Sequence, residues 1–192
     1  MNKRSAEETK KNILEAARTV FAEHGYGQAS MRIIARAAGI SVGALYLYFR
    51  NKEDLYLTFV QEWMNQLNAC TQEALLNIDD PIESIKVFIS IAIDFARKNR
   101  EIIVHQGREL GFLFGIDLKR EFFRERRRLI ADIIRKGIKA GVFRECDADE
   151  AAKIIFNTLR GYGVSMVLDE EALFATEAYV NLVLNGLRTT SK

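Results

Sequence analysis

Apolar residues recur along this chain at intervals of three and four, the spacing of one face of an α-helix, and nowhere alternate long enough to make a strand. Ile13, Leu14, Ala17, Val20 and Phe21 mark a first helix, opened by Ser5 with Glu8 at capping-box spacing and closed at Gly25. Two short helices are predicted next, over about 31–38 and 42–49. Between them Gly39 takes the left-handed turn that ends one helix, and Ser41 caps the next. The three are expected to pack around Phe21, Ile34, Leu45 and Phe49. Asn51 and Asp54 cap a long fourth helix over about 52–77, with Leu55, Phe59, Trp63, Leu67, Cys70 and Ala74 along its inward face. Asp80, Pro81 and Glu83 start a fifth helix that runs to about residue 98. Four more are predicted: 101–114; 118–140, ending at Gly141; one capped by Asp147 with Glu150 and running to about 168; and 170–188. The expectation is an all-α protein of about nine helices, with a helix-turn-helix domain over 1–52 and a helical regulatory and dimerisation domain over 53–192.

Composition narrows the class further. Apolar residues make up 48% of the 192 and there is one proline, which favours long helices and excludes collagen-like or disordered chains. No apolar run approaches the roughly 18 residues of a membrane span, and the polar start lacks the apolar core of a signal peptide. Cys70 and Cys146 belong to no CxxC pattern and read first as reduced thiols, with a redox switch or a disulfide as the lesser reading. The expectation is therefore a cytoplasmic protein without a membrane partner. Charge is uneven: residues 1–52 hold nine Lys or Arg against four Glu, a net +5, and the remainder carries −3. Such a basic head suits a polyanion or an ordinary solvated helix face, and charge alone does not choose between them.

The stretch GISVGALYLYFRNK, residues 39–52, does choose. Val42, Gly43 and Ala44 open its helix with small side chains that admit the first turn to base edges. Tyr46, Tyr48 and Lys52 close it with hydroxyls and an ammonium suited to phosphate oxygens. Leu45 and Phe49, four apart, face the helices behind. Over residues 9–55 the pattern T..IL.AA...F...GY followed by IA..AGIS.G.LY.YF..KE.L resembles the DNA-binding domain of TetR-like transcriptional regulators. That resemblance implies a double-stranded DNA operator as partner. It places Ser30, Met31, Arg32 and Arg36 on the supporting helix near the backbone, Val42 to Ala44 at bases, and Ser41, Tyr46, Tyr48 and Lys52 at phosphates. Ala29, Ile33 and Leu47 depart from the family's habit, and Ser30 keeps only half of a capping box because Ile33 stands at the position of the usual acid.

Beyond residue 55 the resemblance implies a helical domain whose last two helices pair with those of a second copy, making a homodimer. Ile155, Leu159, Tyr162, Met166, Tyr179, Val183 and Leu187 are the expected interface, with Gly161 and Gly163 allowing close approach. The middle helices are rich in Phe, read either as the lining of an effector pocket or as a packed core. Trp63, Phe88, Phe95, His105, Arg108, Glu109, Phe112, Asn157 and Tyr162 are the candidate contacts for a small apolar or amphipathic effector. The basic run 119–128 lies on a helix that also carries Phe122, Leu129 and Ile133, and reads as a solvated face. Two isolated histidines and the absence of nucleotide or nucleophile motifs give no catalytic, metal or cofactor site. The combined expectation is a ligand-responsive regulator, most often a repressor in such a family. The alternative is a helical sensor without DNA binding, which would lack the basic and Tyr positions at 46, 48 and 52.

Overall fold

Five of the helix starts in this chain are set by caps that its own side chains supply. In the computed structural model, which describes residues 3–110 and 114–188 and side chains from Ser5, nine α-helices are joined by one π-helical and one 3-10 turn. The fold is all-α. Among the described residues the only β pairing is an isolated antiparallel bridge between Phe143 and Arg188.

Helices α1 (Lys3–Gln28), α2 (Met31–Ala37) and α3 (Val42–Tyr46) come first. Ser30 Oγ accepts from Ile33 N at 3.2 Å and Ser41 Oγ from Ala44 N at 3.1 Å, so each short helix has its N-terminal donor satisfied. Gly39 stands at φ +68, and the amides of Gly39 and Ile40 donate to the carbonyls of Arg36 and Ala35. This is a Schellman end, and it turns the chain sharply between the two helices. Helix α4 (Lys52–Leu75) opens on a reciprocal cap: Asn51 Oδ1 accepts from Asp54 N, and Asp54 Oδ2 from Arg50 N. Helix α5 (Pro81–Lys98) begins with Asp80 accepting from Ile82 N, and α8 (Ala148–Leu168) with Asp147 accepting from Asp149 N and Glu150 N. Helix α7 (Ile116–Lys139) closes on a second Schellman end at Gly141, φ +72.

Expectations for five helices are corrected. Helix α1 starts before Ser5, whose carbonyl accepts from Thr9 Oγ1 inside the helix. Its regular path breaks at Gly25, φ +70 and ψ 177, and resumes to Gln28. Helix α3 stops at Tyr46, because the amides of Leu47 and Tyr48 bond three residues back and tighten the chain. The sixth predicted helix is α6 (Arg100–His105) followed by a π-helical turn, Gln106–Leu110. The ninth is shorter: a 3-10 turn at Glu170–Ala172 precedes α9 (Thr176–Leu187). Between them Phe174 leaves the helical path to sit 5.0 Å from the Tyr162 ring and 5.1 Å from that of Tyr179. On α4 the inward stripe is Leu55, Tyr56, Phe59, Val60, Met64 and Thr71, while Cys70 and Ala74 are exposed.

By compactness the chain forms two units, Met1–Asn65 with Glu101–Gly115, and Gln66–Arg100 with Ile116–Lys192. The core of the first joins Ile13, Ala17, Phe21, Ile34, Leu45 and Phe49 to Leu55, Tyr56 and Phe59 of α4, all nearly or fully buried. Burying each large apolar side chain contributes about 2 kcal/mol. The core of the second is aliphatic, built on Ile85, Ile89, Ile93, Ile130 and Ile134, with Phe88 and Phe143.

Candidate nucleic-acid interface and regulatory core

On the first unit, the turn at Gly39 and the cap at Ser41 set α3 with its N-terminal turn open to solvent. Ser41 and Gly43 are exposed, Val42 and Ala44 half-buried. A β-carbon on Gly43 would find no neighbour closer than Ser41 Oγ at 3.9 Å, so the space before this turn is empty. Leu45 and Phe49 are buried behind it. Arg32 and Arg36, four residues apart on α2, are exposed, as is Tyr46, and Tyr48 is half-buried. An exposed helical turn of small side chains flanked by guanidinium and phenol groups can approach base edges while its flanks meet phosphates.

Two residues expected at the DNA backbone are held by the protein. Met31 is 8% exposed and packs inward at the start of α2. Lys52 Nζ donates to the carbonyls of Tyr26 at 2.7 Å, Ala29 at 3.0 Å and Gly27 at 3.5 Å, and lies 4.2 Å from the Tyr26 ring centroid. Its three donors thus close the C-terminal end of α1, where a cation also meets the negative end of the helix dipole.

The same end of α1 is held from the other side. Glu109, in the π-helical turn, accepts from Gly27 N at 2.6 Å, and His105 Nδ1 lies 3.2 Å from its other oxygen. A β-carbon at Gly25 would displace the Glu109 carboxyl, so glycine is favoured there by φ and leaves room for this side chain. Tyr26, Tyr56 and Phe114 pack their rings within 6 Å of one another beside this junction. Burial first, and then Glu109 and Tyr26, holds the Tyr56 phenol well above its usual range. His105 and Glu109, expected at an effector, therefore form a clamp on α1. The fourfold spacing of His105 and Glu109 was visible in the sequence, but nothing in it pointed to Gly27.

The other effector candidates are dispersed. Trp63 is half-buried and Arg108 exposed in the first unit; in the second, Phe95 is half-buried and Asn157 exposed. Phe112 lies outside the described residues. Tyr162 is buried, and its hydroxyl accepts from Arg97 Nε at 2.8 Å. Phe88 is fully buried and carries a guanidinium over its ring, that of Arg126 at 4.1 Å. Arg126 corrects the reading of residues 119–128 as a solvated face. Arg124 pairs with Glu121 on the surface and Arg120 with Asp117, but Lys119 and Arg126 are buried. The missed signal was the register: Arg126 is four residues before Ile130 and eight before Ile134, on the inward stripe, whereas Phe122 is half-exposed.

Helices α8 and α9 carry the expected dimer face. Ile155, Tyr162, Met166, Tyr179 and Leu187 are buried in the single chain, and Tyr179 donates to the Ile155 carbonyl at 2.8 Å. Leu159 and Val183 are half-buried. Apolar side chains left outward include Ile154, 68% exposed, and Leu182, 71% exposed, which rim an apolar groove of about 470 Å³ that also includes Thr158, Ala178 and Val183. A β-carbon at Gly161 or Gly163 would meet nothing within 4 Å.

Among the described residues no group of three or more His, Cys, Asp or Glu is placed to hold a metal ion, and no helix is long and apolar enough to cross a membrane. Residues 13–58 match the sequence model described as bacterial regulatory proteins, tetR family. The chain is 26% identical over 183 residues to the HTH-type transcriptional repressor KstR2 of Mycolicibacterium smegmatis, covering 91% of this chain and 88% of that one. It is 27% identical over 182 residues to the fatty acid metabolism regulator protein of Bacillus subtilis, covering 91% and 93%. The solved structure of the fatty acid degradation regulator FadR from Bacillus halodurans is similar with a TM-score of 0.73 at 27% identity, over 92% of each chain.

Proposed function

The chain belongs to the TetR family of bacterial regulators, and from that premise we propose that it is a ligand-responsive transcriptional repressor that binds a pseudo-palindromic operator as a homodimer. The observation that carries this is the exposed first turn of α3, empty of obstruction at Gly43 and flanked by Arg32, Arg36 and Tyr46. In this reading Val42, Gly43 and Ala44 meet base edges, and Ser30, Arg32, Arg36, Ser41, Tyr46 and Tyr48 hold phosphates. Met31 and Lys52 support the head from within.

Dimerisation satisfies the need for two reading helices about one turn of DNA apart, roughly 34 Å. The outward apolar pair Ile154 and Leu182 beside the α8–α9 groove supports that face as the seam. Relatives named for fatty acid metabolism and degradation support an amphipathic effector for this chain. Functionally the division falls at residue 52: the head reads DNA and residues 53–192 sense and dimerise. Helix α4 is continuous from the end of the head to Leu75, so an effector that prefers one setting of this helix would shift the head between binding and released states.

Titration of the purified protein with its own upstream intergenic DNA at two salt concentrations, following bound mass per duplex, tests the reading. Tight, salt-sensitive binding of an even number of chains is expected. Binding no tighter than to random duplexes, both there and after selection from a random pool, would sink it.

A further inference from the structure

The interior of the second unit holds a cation that its packing does not call for. Arg126 is 2% exposed. Its guanidinium lies over the Phe88 ring and donates to Thr71 Oγ1 at 2.7 Å. Thr71 is itself fully buried. That bond uses one of five N–H groups, and among the described residues no carboxylate pairs with the guanidinium. Burial alone pushes Arg126 down, to about 10, so it remains charged at neutral pH. Lys119, seven residues earlier on the same face of α7, is 8% exposed, and burial pushes its ammonium down to about 8. Two positive charges thus point inward from one helix, about 10 Å apart along its axis. The core of this unit is largely aliphatic: Ile85 and Ile89 stand either side of Phe88 in the sequence of α5, and Ile130 and Ile134 lie farther along α7.

Taking a guanidinium out of water is costly unless an anion and further hydrogen bonds offset the loss. One hydroxyl and one aromatic face offset only part of it. An apolar side chain of similar length would fill the space at lower cost. The charge works against folding, and an anion placed against it would offset that cost.

We propose that Arg126, presented by Thr71 and Phe88, recognises the anionic head group of the effector, which is an amphipathic acid: a carboxylate or phosphate on an apolar body. This rests on the reading of the chain as an effector-responsive regulator. The planar fork of arginine takes either head group in a bidentate fashion. An incoming head group takes N–H groups that Thr71 leaves free and shares the guanidinium with Thr71, which belongs to α4. Head-group capture at Arg126 thereby acts on the helix that begins at the DNA-reading head.

Calorimetric titration of the full chain without DNA, using dodecanoate, dodecyl phosphate and dodecanol, separates head-group charge from chain length. At least one anion is expected to bind, with the alcohol about tenfold weaker or worse; the better anion identifies the head group. Arg126→Met, which keeps the volume, should lose this preference by about tenfold or more while its Tm holds or rises. Arg126→Lys, which keeps the charge without the fork, should fall between. Binding of neither anion, equal binding of the alcohol, or a preference that survives in both variants overturns the proposal and leaves Arg126 a packing residue. Acid that binds with the expected preference but fails to release operator DNA upholds the head-group assignment and overturns the effector-response reading.

Discussion

At Gly25 a single residue carries two constraints, a left-handed φ and a carboxyl occupying the place of a β-carbon. Gly25→Ala is expected to cost about 1 to 3 kcal/mol for the conformation alone. It also displaces Glu109 from Gly27 N, a charge-assisted bond that contributes about 1.5 kcal/mol or more. In a Glu109→Ala background the part owed to Glu109 should vanish, leaving the conformational part and the approach of the His105 ring. Denaturant unfolding of the four proteins gives the cycle, and strictly additive costs would show that Glu109 does not press on Gly25. Lys52 offers a parallel test of a corrected assignment. With its ammonium closing the end of α1, Lys52→Met should lower stability by about 1 to 3 kcal/mol. The slope of log K against log salt for operator binding should stay unchanged. A slope smaller by about one unit for each copy would return Lys52 to the phosphates.

Among the elements, α3 is short, and its composition suits an approaching surface more than a stable helix. Gly43→Leu puts a better helix former into open space, so the variant should be as stable or up to about 1 kcal/mol more stable. Operator binding should nevertheless fall to the nonspecific level, as read by mobility shift beside a thermal melt; retained specific binding would move the bases away from this turn. The caps at Ser30, Ser41, Asn51, Asp80 and Asp147 were legible in the sequence because each is a local arrangement of a short polar side chain and an amide two or three residues on. The burial of Arg126 was not, because charge counts as solvent-facing until the register of Ile130 and Ile134 is known. Glu109 was illegible for a different reason: its partner amide is 82 residues away. On α8 and α9 periodicity found the apolar face but could not divide it between the chain's own core and a partner. The structure turns Tyr162 and Met166 inward and Ile154 and Leu182 outward. Leu182→Asp is accordingly expected to leave the chain folded and to yield monomers in sedimentation velocity. A dimer as tight as wild type would place the seam elsewhere.

For the whole molecule, charge and symmetry act together. A head of net +5 on a body of −3 favours approach to a polyanion by one end, and the proposed dimer would present two such heads. If Arg32 and Arg36 of each head meet one phosphate apiece, four contacts give a slope of log K against log salt of about −3.6, before any contribution from hydroxyls or amides. Arg36→Ala is present in both copies, so it should reduce the slope by about 1.8, while a protein binding as a monomer would lose about 0.9. The affinity change alone would not separate these cases, since a weaker contact made twice can resemble a stronger one made once. The slope counts ions released, so it reads the number of heads engaged. Carried out on Leu182→Asp as well, the comparison distinguishes a dimer needed for DNA binding from one that only accompanies it. In the first case the monomeric variant binds too weakly to show a specific slope; in the second it binds with half the wild-type slope.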